Sequence, residues 1–157
     1  VTLPADPAAF VAAAERGIND RDLDVTAGLY APDAVLTSIT DGALERIEGA
    51  EAIRRSWAAY LDGMRARQFW LRKTLSAASG DTIANEWVGG FGVGGPGLGA
   101  NGSERWRFDE QGRVVDHVMW TFFDVRESTS LMARARIGLA SPRTAIAFLR
   151  AQKRHGA

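Results

Sequence analysis

SERWRFDEQGRVVDHVMWTFF, residues 103–123, decides the fold. Two runs rich in aromatic and β-branched residues, Ser103–Asp109 and Arg113–Phe123, flank the turn signal Glu110-Gln111-Gly112, which predicts an antiparallel hairpin. Upstream lie two further runs, Gln68–Ala77 and Thr82–Phe91, joined at Gly80-Asp81, and a glycine-rich link precedes Ser103. The second half of the chain therefore reads as a meander of four strands. The first half has the helical period instead. Asp6-Pro7 forms an N-cap and first-turn proline ahead of Phe10, Val11, Ala14 and Ile18. Asp22 can cap a second helix carrying Leu23, Ala27 and Tyr30, which Pro32-Asp33 ends. A short strand pair, Ala34–Ile39 and Leu44–Ile47, turns at Asp41-Gly42. Gly49 precedes a third helix, closed near Gly63, whose stripe is Ile53, Trp57, Tyr60, Leu61 and Met64. Helices at one end and an antiparallel meander at the other describe an α+β domain. Residues 1–125 form its body. Residues 126–157 read as a C-terminal helical extension of the same domain, with helices over 126–138 and 142–154, the second carrying Ala145, Ile146, Phe148 and Leu149.

Composition narrows the partners. The 157 residues carry 19 basic and 19 acidic side chains, so no basic stripe is available for a phosphate backbone and nucleic acid is not expected. Cysteine is absent, which removes disulfides and thiolate chemistry. No apolar run is long enough for a membrane span, and no signal-peptide pattern opens the chain; the expectation is a cytoplasmic protein. Between Gly89 and Gly102 there are eight glycines, and Gly90–Gly95 spells G-x-G-x-x-G. A dinucleotide fingerprint needs a helix straight after it, to offer its N-terminus to the pyrophosphate. Pro96, more glycines and a strand follow instead. The expected role is a flexible hairpin loop at the rim of a pocket. No His and carboxylate spacing suits a metal, and neither a metal nor a cofactor is assigned.

Three stretches resemble the NTF2-like superfamily, in particular its SnoaL-like polyketide cyclases and ketosteroid isomerases. Asp22-Leu23-Asp24 through Leu29–Ala34 is similar to the family's opening, and Ile47–Ile53 to its entry into the third helix. Trp106–His117 is similar to its final hairpin. Together they span roughly residues 7–124. The resemblance implies a conical α+β barrel, with a curved antiparallel sheet wrapped around N-terminal helices. It also implies a pocket on the concave face and homodimers formed through the outer face, where Trp120 and Phe122 would stand. Family members include isomerases, cyclases, epoxide hydrolases, dehydratases and plain binding modules, so the fold does not choose the activity.

Side chains alternate along a strand, and the resemblance says which parity faces the pocket. It puts Val115, His117, Met119 and Thr121 inside on the last strand, with Val114, Asp116, Val118 and Trp120 outside. On the strand before, Glu104, Trp106 and Phe108 point in. The resemblance puts the cyclase acid on Met119, the isomerase base on Ser38 and the isomerase tyrosine on Ala14, so those three groups are missing, while Glu104 falls where ketosteroid isomerases place a protonated Asp that donates to the oxyanion. The Asp-Arg-Asp set of limonene-type epoxide hydrolases is not complete either. What remains is Glu104, a pocket acid whose protonation burial would favour, and His117, a proton shuttle; either could equally be a structural residue. Glu86, mid-strand, is either a further pocket acid or the partner of an arginine such as Arg105. Tyr30 is a donor near the mouth or a packing tyrosine. Trp106, Phe108, Met119 and Thr121 would form the walls. The expected function is a cofactor-independent acid/base enzyme, of cyclase or isomerase type, acting on a small apolar polyketide- or terpenoid-like molecule. The alternative is a non-catalytic binding module with the same pocket.

Overall fold

Asp6 opens the first helix: its carboxylate accepts the Ala9 N–H, with Pro7 at the first helical position, where its missing donor costs nothing. In the computed structural model this helix, α1, spans Pro7–Asp20 and buries Val11, Ala14, Gly17 and Ile18. The structure describes residues 3–92 and 99–123, with four isolated positions beyond (Leu139, Pro142, Ile146 and Arg150). The chain divides into two units, Val1–Val125 and Arg126–Ala157. Every element below belongs to the first. Apart from those isolated positions, the helices expected over 126–138 and 142–154 lie outside the described residues.

Helix α1 stops at Arg21, which takes the left-handed conformation (φ 61°). The Arg21 guanidinium donates to the carbonyls of Ile18, Asn19 and Phe69, which ties the end of the helix to a later strand. Asp22 caps α2, Leu23–Ala27, by accepting the Val25 N–H. This helix is shorter than expected. Tyr30 does not continue it but opens strand β1, Tyr30–Thr40. Pro32 falls where the register of β1 shifts, between Tyr30 and Val35, a place where a residue without an N–H forfeits no ladder bond. Asp41 and Gly42 both have positive φ (49° and 87°), the tight hairpin geometry that leads into β2, Ala43–Glu48. Helix α3, Ala50–Ala66, runs past Gly63: an exposed glycine weakens a helix but does not end one whose other face is anchored, here by Ile53, Trp57 and Leu61.

Strands β3 (Phe69–Ser79), β4 (Thr82–Phe91), β5 (Gly99–Phe108) and β6 (Val114–Phe122) complete a six-stranded, curved, unclosed sheet in the order β2-β1-β6-β5-β4-β3. All neighbours are antiparallel except β1 and β6, which run parallel. Strand β5 begins at Gly99, before the Ser103 expected from sequence, because the glycines are part of the ladder. Gly102 stands opposite Trp87, and a Cβ there would lie 2.7 Å from the indole and 2.1 Å from the Trp120 carbonyl. Only glycine lets the indole lie across the strand. The tip of the expected rim loop, residues 93–98, lies outside the described residues.

The last hairpin carries a bulge. Arg107 pairs with Asp116 but Phe108 pairs with Val114, which leaves Val115 extra. The expected parity therefore fails at two residues. Val114 is in the core, 1% exposed, and Val115 is only half-buried. Beyond the bulge the alternation resumes, with His117 and Thr121 buried inward. Helices α1 and α3 fill the concave side. Phe10 meets Trp106 and Phe108 edge-on at 5.0 and 5.1 Å. Asn19 exchanges two hydrogen bonds with the Leu71 backbone, and the Glu15 carboxylate accepts the Lys73 N–H. No helix among the described residues is long and apolar enough to cross a membrane.

Candidate functional site

The concave face encloses a cavity of about 280 Å³. Trp57, Tyr60 and Met64 of α3 form one wall, and Phe69, Leu71 and Trp87 of β3 and β4 another. Met119 and Thr121 of β6 close a third side, and Glu104 of β5 is also in the lining. Ser38, Thr40, Glu45 and Tyr60 are the other polar side chains in the lining, and Tyr60 donates to the Glu45 carboxylate at 2.7 Å. The arrangement suits a small, mostly apolar guest with few polar groups.

Glu104 is 4% exposed and is held by a partner that sequence reasoning did not name. Lys73, on β3, donates to Glu104 Oε2, and the two side chains are 2% and 3% exposed. The ammonium lies 5.1 Å from the centre of the Trp106 ring, a favourable cation–π distance. Glu104 is thus not a lone acid among apolar rings, as expected from its flanking residues, but half of a buried ion pair. The signal for Lys73 was available. Phe69, Leu71 and Leu75 alternate onto one face of β3, and Lys73 shares their parity.

Behind Glu104 is a second, inner cavity of about 20 Å³, lined by Thr26, Tyr30, Lys73, Glu104, Trp106 and His117 together with apolar side chains of α1 and α3. His117 is 2% exposed. Its Nδ1 lies 2.7 Å from the Tyr30 hydroxyl, which also accepts from Trp57 Nε1 at 3.1 Å. Among the described residues the Tyr30 proton has no other acceptor, so it goes to His117 Nδ1 and the imidazole proton sits on Nε2. Burial, and secondly the Lys73 charge, holds the His117 pKa well below the usual histidine range. The ring is therefore neutral. Burial raises the Tyr30 pKa, so its phenol stays protonated.

Glu104, Met119 and Thr121 meet at the larger cavity, whereas Tyr30, Trp106 and His117 line the inner one; Glu104 belongs to both. Three expectations need correcting. Tyr30 is not at the mouth, because it starts β1 and is 8% exposed beneath α3. Phe108 is 1% exposed and packs under Phe10, against neither cavity. Glu86 is exposed on the outer face of the sheet, opposite Ser103 and Thr74. Nor does it pair with Arg105, which instead bonds Asp116 at 2.9 Å. Strand parity explains this: Asn85 and Trp87, its neighbours, are the inward residues of β4. Among the described residues no group of three His, Cys, Asp or Glu could hold a metal ion.

Known structures share the architecture. A SnoaL-like protein of unknown function from Burkholderia thailandensis superposes with a TM-score of 0.60 at 20% identity, over 76% of this chain and 98% of that one. The epoxide hydrolase/cyclase-like enzyme SalBIII, of pyran-ring formation in the polyether salinomycin, superposes at 0.56 and 16% identity, over 73% and 89%. A Mycobacterium tuberculosis protein in complex with estradiol-17β-hemisuccinate does so at 0.53 and 21% identity, over 72% and 92%. No curated protein matches the sequence. At these identities the likeness is one of fold. The sequence itself matches the SnoaL-like domain over residues 10–117, and the chain belongs to the SnoaL-like family.

Proposed function

We propose that the protein is a cofactor-independent acid/base enzyme, of cyclase or isomerase type, whose substrate is a neutral, largely apolar carbonyl compound of polyketide or terpenoid kind. The observation that carries this reading is the buried Lys73–Glu104 pair, whose carboxylate side chain lines the larger cavity. A buried ion pair is a poor way to stabilise a core, since apolar residues of similar volume do as well or better. Its place against an apolar cavity argues for chemistry. Glu104 accepts a proton from a carbon next to the ligand carbonyl, and the electron pair moves to the carbonyl oxygen to form an enolate. Hydroxyls of Ser38 and Thr121, both in the lining, are the available donors to that oxygen. Return of the proton to another carbon gives isomerisation; attack of the enolate carbon on a second carbonyl gives ring closure, with the proton passing from Glu104 to the new alkoxide oxygen. Lys73 balances the charge of Glu104 in the resting state, so the site favours neutral ligands. His117, neutral and bonded through Nδ1, acts as a fixed donor and not as a shuttle.

The test uses 1-tetralone, a neutral bicyclic ketone, in D₂O. Deuteration of its α-carbon, faster with protein than with buffer and followed by NMR, supports the enzyme. Binding without exchange supports the alternative, a binding module, which the steroid-ester complex of the mycobacterial neighbour makes worth testing. Absence of binding overturns both. We also propose that two copies pair through the outer sheet face, where Trp70, Val88 and Phe122 are 45%, 47% and 49% exposed. A monomer by sedimentation at micromolar concentration would contradict the pairing.

A further inference from the structure

We propose that the inner cavity is a binding site for one water molecule, which fastens Glu104 to His117. Five buried side-chain polar atoms lack a partner among the described residues, and two of them, His117 Nε2 and Thr26 Oγ1, belong to side chains that line this cavity. Glu104 and Lys73 line it as well, and the hydrogen bond from Lys73 uses only Oε2 of Glu104. A water needs roughly 10–15 Å³ and two to four polar partners; the cavity has about 20 Å³ and offers four. Its occupant is set by charge. A cation would meet the Lys73 ammonium and an anion the Glu104 carboxylate, so a neutral molecule that both donates and accepts is favoured. An apolar guest would leave His117 Nε2–H and the Thr26 hydroxyl buried without bonds, which is costly.

The bonding follows from the tautomer. The water accepts from His117 Nε2–H, donates to a Glu104 oxygen, and has Thr26 Oγ1 as its third partner. His117 then acts on Glu104 through the water and is a positioning residue. The Tyr30–His117 bond, backed by Trp57, gains a purpose: it orients the imidazole so that its N–H faces the carboxylate side. The water site stands on geometry alone. Its effect on turnover rests on the acid/base reading above.

A high-resolution crystal structure of the whole chain tests the site directly. The expected result is one ordered water within about 2.6–3.2 Å of both His117 Nε2 and a Glu104 oxygen. A cavity without density, or a His117 Nε2 that bonds a protein group, overturns the proposal. Thr26→Val, nearly isosteric, removes one partner and keeps the Tyr30–His117 bond. It should lower the water's occupancy and slow α-deuteration of 1-tetralone about tenfold with the tetralone Kd unchanged, a loss within the range of hydrogen-bond contributions. Water lost with exchange unchanged overturns the positioning role. If the wild type shows the water yet exchanges no tetralone, the acid/base reading falls and the site remains.

Discussion

Glu104 and Arg105 are neighbours on β5, and each makes an ion pair, but the two pairs live in different solvents. Glu104 bonds Lys73 with both side chains almost wholly buried, at 3% and 2% exposure; Arg105 bonds Asp116 on the outer face, at 49% and 21%. The outer pair sits in water, where attraction is screened and two long side chains must be held still, so such pairs contribute about 0–1 kcal/mol. The inner pair has lost its hydration. Its attraction is stronger, yet much of that gain offsets desolvation, and removal of one partner strands a buried charge. One strand thus carries a surface contact that the fold does not need and an interior contact that it tolerates. That difference is the basis on which the concave side is proposed as the functional one.

The comparison can be broken at several points. The largest effect is expected from Lys73→Met or Glu104→Gln alone, which should lower the unfolding free energy by about 3–5 kcal/mol in urea titrations, since each strands its partner. The double variant Lys73→Met/Glu104→Gln leaves no net charge and should recover most of that loss. If each single variant costs no more than the double, the pair is not coupled. Next comes His117. Its folded pKa is depressed by burial, so the unfolded chain binds more protons below the ordinary value near 6.5. Stability linked to His117 is complete above that pH and is lost as pH falls beneath it. From pH 7 to pH 5 the wild type should lose more stability than His117→Phe. Parallel curves would mean that the imidazole is charged in the fold. Tyr30→Phe should cost about 1–3 kcal/mol at neutral pH, because His117 Nδ1 and Trp57 Nε1 both lose their partner in a buried place. The smallest effect belongs to the outer pair: Arg105→Ala should change stability by about 1 kcal/mol or less. A larger loss would show that exposure, the basis of the contrast, misjudges this pair.

Much of this architecture is legible in the chain because it rests on local signals. The Glu110-Gln111-Gly112 turn, the strand-forming run of β4 and the Asp6 and Asp22 caps each need only a few residues to read. What escapes are features made by pairing at a distance. The parallel contact of β1 with β6 brings Tyr30 to His117 across 87 positions, and nothing near Tyr30 announces it. The bulge at Arg107 and Phe108 moves Val114 inward without any local mark such as glycine. Glu86 is misread as a possible pocket residue because apolar neighbours on both sides hide which parity is inward. Lys73 is the instructive omission: an apolar face with one lysine in it asks for a buried counter-charge, and Glu104 sits on the same sheet face two strands away.

The central claim, that the Lys73–Glu104 pair makes the larger cavity a site for proton transfer at carbon, is tested most directly by α-deuteration of 1-tetralone. The wild type would be compared with Glu104→Gln and with Lys73→Met/Glu104→Gln, each shown to be folded by circular dichroism and to bind the ketone. The account predicts that both variants lose exchange by about 10²-fold or more, as removal of a general base does, while the tetralone Kd moves little. Exchange at the wild-type rate in either folded, ligand-binding variant would contradict it.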